Sequence, residues 1–209
     1  MKSISKEIFI SNENIELLRS FLGLTITSFD FDQSQYIIFN PQNMFIEVGW
    51  PGVLTLVSHS GMEPVVNLDF GGEITLDESG YEIVNLRISN SNKDYSTGQG
   101  IMMDWFEVKK IEIYSNLISG ILSDDEYFIN PSANFVKSHH CNELEYIVNV
   151  DEILLFYSSS NQRIMLQAYD SMNGTIILHF NENHIGKILA NEYHILSPKK
   201  NFVKRLTLT

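Results

Sequence analysis

Two short clusters hold the side chains best suited to chemistry, His139-His140-Cys141 and Asp30-Phe31-Asp32. Imidazole and thiolate groups bind zinc, whereas paired carboxylates bind hard cations or transfer protons. Adjacent residues on a strand point to opposite faces, so the first cluster cannot easily converge on one ion. The aspartates lack the rest of a calcium loop, because Gln35 occupies the position that needs glycine. We therefore expect a polar turn and an exposed strand face, with no metal site.

The motifs of common enzyme classes are absent from the sequence. It contains no GxSxG nucleophile motif, no Walker loop and no GxGxxG element. Cys141 follows His140, but no third residue that would orient such a pair is evident in the sequence. We therefore predict no catalytic residues and no cofactor, and expect a protein that is not an enzyme.

The clearest feature is a long stretch without basic residues. Between Arg19 and Arg87 there is no lysine or arginine, and the net charge of the whole chain is −12. The stretch contains nine carboxylates: Asp30, Asp32, Glu47, Glu63, Asp69, Glu73, Asp77, Glu78 and Glu82. Because no neighbouring cation can neutralise them, the surface that they form should be strongly negative and suited to a basic partner.

The charge and composition also exclude partners and suggest a compartment. A chain this acidic should bind neither nucleic acid nor an anionic membrane surface through charge neutralisation. Cys141 is the only cysteine, and the first residues lack the apolar run of a signal peptide. These observations favour a cytoplasmic protein. The locally basic tail, from Lys199 to Arg205, is interpreted as solvated or as cations that complement the acidic half within the fold.

The elements that would position these groups are mostly strands. Alternating and continuous apolar runs predict a mainly β (α+β) fold of antiparallel meander sheets. Helices are expected at Asn12 to Leu22 and Asn183 to Asn191, and Leu117 to Leu122 is ambiguous. Residues 28–58 and 145–180 each read as four strands joined by turns, one of which would be Asp151-Glu152. Gly71-Gly72 is interpreted as a further hairpin turn.

The similarity of these two segments suggests an internal duplication, with chance resemblance of β-meanders as the alternative. We accordingly divide the chain into residues 1–105, a helix with an acidic β module, and residues 106–209, a second β module.

The favoured hypothesis is an acidic cytosolic inhibitor of a basic protein. In size, charge and lack of catalytic motifs the chain is similar to immunity proteins that neutralise bacterial toxins. The carboxylates would attract the partner and an aromatic side chain would anchor it. The predicted partner-binding residues are Asp30, Asp32, Glu47, Trp50, Asp69, Glu73, Asp77, Glu78, Tyr81 and Glu82.

Two other functions stay open at this point. One is a ligand-binding or enzymatic module with a site between the two halves, in which His59, His139, His140 and His179 would be the first candidates. The other is a structural homo-oligomer, for instance a homodimer formed by the sheets.

Overall fold

A computed structural model describes residues 2–31, 37–40, 45–48, 53–60, 63–76, 81–91, 99–122, 135–137, 144–169, 175–192 and 201–209. These residues form two helices, α1 (Asn12–Arg19) and α2 (Glu182–Leu189), and thirteen strands. The strands are β1 (Lys2–Ile8), β2 (Thr25–Phe31), β3 (Ile37–Asn40), β4 (Phe45–Val48), β5 (Leu54–Ser60), β6 (Glu63–Leu76), β7 (Tyr81–Asn90), β8 (Gln99–Leu122), β9 (Phe135–Lys137), β10 (Leu144–Ser158), β11 (Arg163–Tyr169), β12 (Thr175–His179) and β13 (Phe202–Leu208).

Strand β8, with 24 residues, joins two layers that we name sheet A and sheet B. Sheet A runs in the order β3-β4-β12-β11-β10-β8, with β1 beside β10 and β13 beside β8. Sheet B continues from β8 in the order β2-β5-β6-β7-β9. All these pairings are antiparallel except that of β1 with β10. The predicted mainly β fold with two helices is confirmed.

The core lies between the two layers, because alternate residues of their strands are apolar. Leu54, Leu56 and Phe70 of sheet B belong to the same buried cluster as Leu154 and Phe156 of sheet A. The rings of Phe70 and Phe156 meet edge to face, with centroids 6.2 Å apart. Burying such a side chain stabilises the fold by about 1.5–3 kcal/mol, and the aromatic contact adds about 0.5–1.5 kcal/mol.

Both helices begin at a polar cap. Ser11 is one of the predicted caps of α1, whereas the cap of α2 is Asn181 and the predicted cap, Asn183, lies inside the helix. The hydroxyl of Ser11 accepts a hydrogen bond from the amide of Asn14 at the start of α1. Helix α1 ends at Arg19, earlier than the predicted Leu22, and Gly23 beyond it has a left-handed φ of 82°. Before α2, the side-chain oxygen of Asn181 accepts from the amide of His184 at 3.0 Å.

The helices pack in different places. Helix α1 buries Ile15 and Leu18 in the core between the layers. Helix α2 lies on the outer face of sheet A, where Ile185 and Ile188 pack with Ile153 and other apolar side chains.

Two predicted turns are wrong. Asp151-Glu152 lies inside the continuous strand β10, where the register with β8 shifts between Asp151 and Ile153, as at a β-bulge. Gly71-Gly72 lies inside β6 and pairs with Arg87 and Leu86 of β7. Charged or glycine-rich pairs usually interrupt strands, but here the bulge accommodates the carboxylates and the glycines take part in the strand pairing.

The two halves of the sequence are interleaved in space. The division at residues 105 and 106 falls within β8, and β4 from the first half pairs with β12 from the second. One buried cluster contains residues of both halves, from Ile10 to Leu208. An origin of the segments by duplication stays a prediction.

Candidate acidic binding face and the buried charge clusters

Two of the predicted binding carboxylates lie in one row across sheet B. Asp30 of β2 pairs with Thr55 of β5, and Thr55 pairs with Asp69 of β6. Their neighbours Phe29 and Phe70 are buried in the core, so the row occupies the outer face of the sheet. Asp30 and Asp69 are half-buried. The Thr55 hydroxyl donates to the Asp69 carboxylate at 2.5 Å and holds it in position.

The other predicted residues of this region are described only in part. In the pairing of the strands, Glu73 lies opposite Asn85, Tyr81 opposite Lys137, and Glu82 opposite Val136. Asp32, Trp50, Asp77 and Glu78 lie outside the described residues. Arg87 is exposed and pairs with Gly71, next to the row of carboxylates in sheet B.

Glu47 lies in the other layer. It pairs with Ile177 near one end of sheet A, while Ile46 and Val48 beside it enter the core. Glu47 therefore lies on the outer face of sheet A, on the far side of the core from Asp30 and Asp69. Partial burial raises the pKa of the Glu47 carboxyl above its ordinary value. Its predicted role would thus require a surface separate from that of Asp30 and Asp69.

Sequence reasoning did not single out Glu112, whose side chain is almost fully buried in β8. Its oxygens accept hydrogen bonds from the hydroxyls of Tyr114 and Tyr157, at 2.9 and 2.7 Å. Lys110 and Lys204 contribute ammonium groups at 3.1 and 3.3 Å. Burial tends to raise the pKa of Glu112, but the four donors outweigh it and lower that pKa to about 2.

The two tyrosines of this cluster are held in their neutral form. Burial raises the pKa of Tyr114 to about 12, with a further contribution from its hydrogen bond to Glu112. The pKa of Tyr157 is raised for the same two reasons. Neither hydroxyl is suited to give up its proton near neutral pH, so the cluster is not suited to acid–base catalysis. Its hydrogen bonds and ion pairs instead connect β8, β10 and β13.

Asp151 is a second buried carboxylate with a complete set of donors. It accepts from the amide of Ile10 at 2.8 Å and from the hydroxyl of Ser115 at 2.7 Å. Arg205 contacts both of its oxygens, at 2.8 and 2.5 Å. This forked ion pair fixes β13 and the segment before α1 to the bulge of β10.

Glu152, which follows Asp151 in the bulge, is bound on the other face of the sheet. The amides of Asn116 and Gln167 donate to its two oxygens at 2.8 and 3.1 Å. Ser115 and Asn116 are consecutive in β8, so Asp151 and Glu152 point to opposite faces. The only sign of these clusters in the sequence is a pair of charges that interrupts an otherwise apolar run.

The basic tail residues Lys204 and Arg205 in β13 form ion pairs with the carboxylates of these clusters. Lys204 pairs with Glu112 and Arg205 with Asp151, and both carboxylates belong to sheet A. The interpretation that tail cations complement the acidic half of the chain is therefore wrong for these two. Their partners belong to the second half of the chain and not to the acidic stretch. Lys199 and Lys200 lie outside the described residues.

A buried histidine lies beside α2. The rings of His179 in β12 and His184 in α2 stack with centroids 5.1 Å apart, and Phe45 of β4 contacts both. Neither ring nitrogen of His179 has a hydrogen-bond partner. Burial, with a smaller effect of His184, lowers the pKa of His179 to about 3, so the ring is neutral at pH 7.

Within the described ranges, no three histidine, cysteine or carboxylate side chains are grouped so that they could hold a metal ion. The His139-His140-Cys141 cluster lies outside those ranges, and only the backbone of His59 is described. In the described part of the chain, neither helix has the length and apolar character needed to cross a membrane.

No protein-family model, curated protein or solved structure matches this chain.

Proposed function

We propose that this chain is a cytoplasmic binding protein that captures and inhibits a basic protein partner, as immunity proteins do with bacterial toxins. The partner would dock on the outer face of sheet B. The observation that carries the proposal is the row formed by Asp30, Thr55 and Asp69, in a stretch of sequence without lysine or arginine from Ser20 to Leu86.

The use of cations elsewhere supports this choice of face. Lys110 and Lys204 pair with Glu112, and Arg205 pairs with Asp151, all within sheet A. These three cations are therefore engaged away from Asp30 and Asp69. A surface with a net negative charge attracts positive charge from outside.

The mechanism would be electrostatic attraction followed by local anchoring. Carboxylates at the rim of an interface mainly accelerate association and discriminate between partners. An aromatic side chain, with Trp50 and Tyr81 as candidates, would supply apolar contact at the centre. The rate of association should therefore fall with rising ionic strength, because salt screens the exposed charges.

A paired charge reversal tests the proposal. Asp69→Lys combined with Glu73→Lys reverses charge in sheet B, whereas Glu13→Lys combined with Glu192→Lys makes the same change in charge at exposed sites elsewhere. Each protein is immobilised, and the basic proteins retained from a lysate of the source cells are identified by mass spectrometry. Association rates of the retained protein are then measured at low and high salt.

We expect the wild type and the control to retain the same basic protein. The sheet B variant should retain little or none of it, because its association rate constant should fall about tenfold or more. Equal retention by both variants would contradict the proposal, as would a wild type that retains no basic protein. Circular dichroism of each variant checks that the fold is intact.

A further inference from the structure

The large hydrophobic side chains that are exposed in the described residues all lie in one region of sheet A. They are Phe9, Leu117, Ile147 and Val203, with exposed fractions of 36%, 41%, 46% and 54%. Phe9 follows β1, and the other three belong to β8, β10 and β13. The strands β1, β10, β8 and β13 are consecutive neighbours, so the four residues span a continuous piece of sheet.

The register of the strands puts these side chains on the same face. Val203 pairs with Ser115, and Leu117 lies two positions farther along β8. Leu117 pairs with Asn149, which lies two positions after Ile147 in β10. Because faces alternate along a strand, Leu117, Ile147 and Val203 share one face. We name this surface the β1–β13 apolar face.

Phe9 joins the same face through Arg205. The guanidinium of Arg205 lies over the Phe9 ring, 4.6 Å from its centroid, while it binds Asp151. Asp151 pairs with Ser115 in the register of β10 and β8. The ion pair of Arg205 and Asp151 thus lies at the edge of the apolar face. On the opposite side of β10, Val148 and Val150 are fully buried and keep this strand in position.

We infer that the β1–β13 apolar face binds a second copy of this chain, face to face, in a symmetric homodimer. The charges on the face select this partner. Among the described side chains of the face, the exposed carboxylate is Glu7, which pairs with Asn149 beside Leu117. Arg205 keeps 24% of its side chain accessible beside Phe9. In a twofold contact, residue i of one copy meets residue j of the other, so Glu7 and Arg205 can pair twice across the interface.

A basic protein partner is the weaker alternative for this face. Within the described side chains of this face, Glu7 is the one exposed carboxylate, and Asp151 is already occupied by Arg205. An apolar centre with opposite charges at the rim is typical of a protein interface and suits a self-complementary contact. Stacking two sheets also leaves the outer face of sheet B free, so this inference does not depend on the proposed function.

The size of the face sets the expected affinity. Four strands about 4.8 Å apart span roughly 15 Å, which is less than the width of a standard stable interface. The dimer should therefore be weak, and its fraction should rise with protein concentration.

Two substitutions on β13 provide a matched test. Val203→Lys puts a charge in the apolar face. Thr207→Lys puts the same charge on the opposite face of the same strand, where Thr207 is exposed and pairs with Glu112. Ile147→Lys on β10 is a second variant of the face, in case Val203→Lys impairs folding. Sedimentation equilibrium over a concentration series gives the mass of each protein.

We expect the wild type and Thr207→Lys to approach twice the chain mass of 24.0 kDa as concentration rises. Val203→Lys and Ile147→Lys should raise the dissociation constant about tenfold or more. A wild type that stays monomeric at its highest soluble concentration overturns the inference. Equal dissociation constants for Val203→Lys and Thr207→Lys overturn it as well. It is also overturned if the wild type is monomeric and Val203→Lys weakens its binding of a basic protein, because the face would then bind that partner.

Discussion

The carboxylates of the two sheets differ in burial and in the partners they have. In sheet A, Glu112, Asp151 and Glu152 are almost completely buried, and each accepts hydrogen bonds from two or more side chains. In sheet B, Asp30 and Asp69 are half-buried, and Asp69 is bound by the neutral hydroxyl of Thr55. The same functional group therefore stabilises structure in one layer and remains partly accessible in the other.

The physical reason is the cost of removing charge from water. A buried carboxylate costs several kcal/mol unless an opposite charge and hydrogen bonds replace its hydration. Sheet A provides these partners through Lys110, Lys204 and Arg205. A carboxylate that is only partly buried, such as Asp69, keeps part of its hydration, so removing a partner from it costs less. Net charge alone therefore does not identify a binding surface, because part of it is used inside the fold.

The largest expected effect comes from removing the cation that serves Asp151. Arg205→Leu would leave a carboxylate that is 1% exposed without its ion pair. Breaking a buried pair in this way costs about 3–5 kcal/mol in the free energy of unfolding. Urea denaturation followed by circular dichroism measures the loss.

The matched control for that experiment is Arg87→Leu in sheet B. Arg87 is exposed, and surface substitutions of this kind change stability by about 0.5 kcal/mol or less. If both variants lost the same stability, the distinction between the layers would be wrong.

Acid should destabilise the protein in two separate steps, both arising in sheet A. The folded pKa of His179, about 3, lies below its ordinary value of 6.5, so the unfolded chain takes up this proton first. Stability is therefore complete above about pH 6.5 and falls as the pH decreases toward 3, by roughly 3 kcal/mol at pH 4. Glu112, with a folded pKa of about 2, contributes stability that is lost only below about pH 4.5.

Replacing the histidine separates these two steps. His179→Phe keeps the aromatic contact with Phe45 but removes the titrating group. We expect the variant to lose most of the dependence of unfolding free energy on pH between about 6.5 and 4.5 and to keep the lower step. The part that remains in the upper range comes from His184, whose pKa burial also lowers. Unchanged acid sensitivity, measured by urea titrations across this range, would show that His179 does not cause it.

A smaller loss in the free energy of unfolding is expected when a hydroxyl that donates to a carboxylate is removed. One such hydroxyl lies in each layer. Tyr157→Phe removes a donor to the buried Glu112 and should cost about 2 kcal/mol. Thr55→Val removes the donor to Asp69, which can regain water, and should cost about 1 kcal/mol or less. Equal losses in chemical denaturation would mean that Asp69 depends on its neighbour as strongly as Glu112 does.

The fold class and both helices were predictable because their signals are local. The spacing of Ile15 and Leu18 and the cap at Ser11 are visible within one or two turns of sequence. The start of α2 was predicted two residues late, at Asn183, because its cap is Asn181. The turn before β11 also has a local signal, because asparagine is common in turns and Asn161 there takes a left-handed φ of 62°.

The charge clusters were not predictable, because their partners are distant along the chain. Arg205 lies 54 positions from Asp151, and Lys204 lies 92 positions from Glu112. A single sequence carries no local signal for such pairs. For the same reason Asp151-Glu152 was interpreted as a turn, since two charges in an apolar run normally mark exposure. The partner-binding residues remain a prediction.

One contact described above bears on how fast the chain reaches its native state. The amide of Ile10 binds Asp151 across 141 positions, and β1 pairs with β10 over a similar separation. Bringing such remote segments together costs loop entropy before any contact compensates for it, and folding rates fall as the mean separation of contacting residues grows. Newly made chains should therefore collapse well before β1 docks, with apolar strand edges transiently open to aggregation.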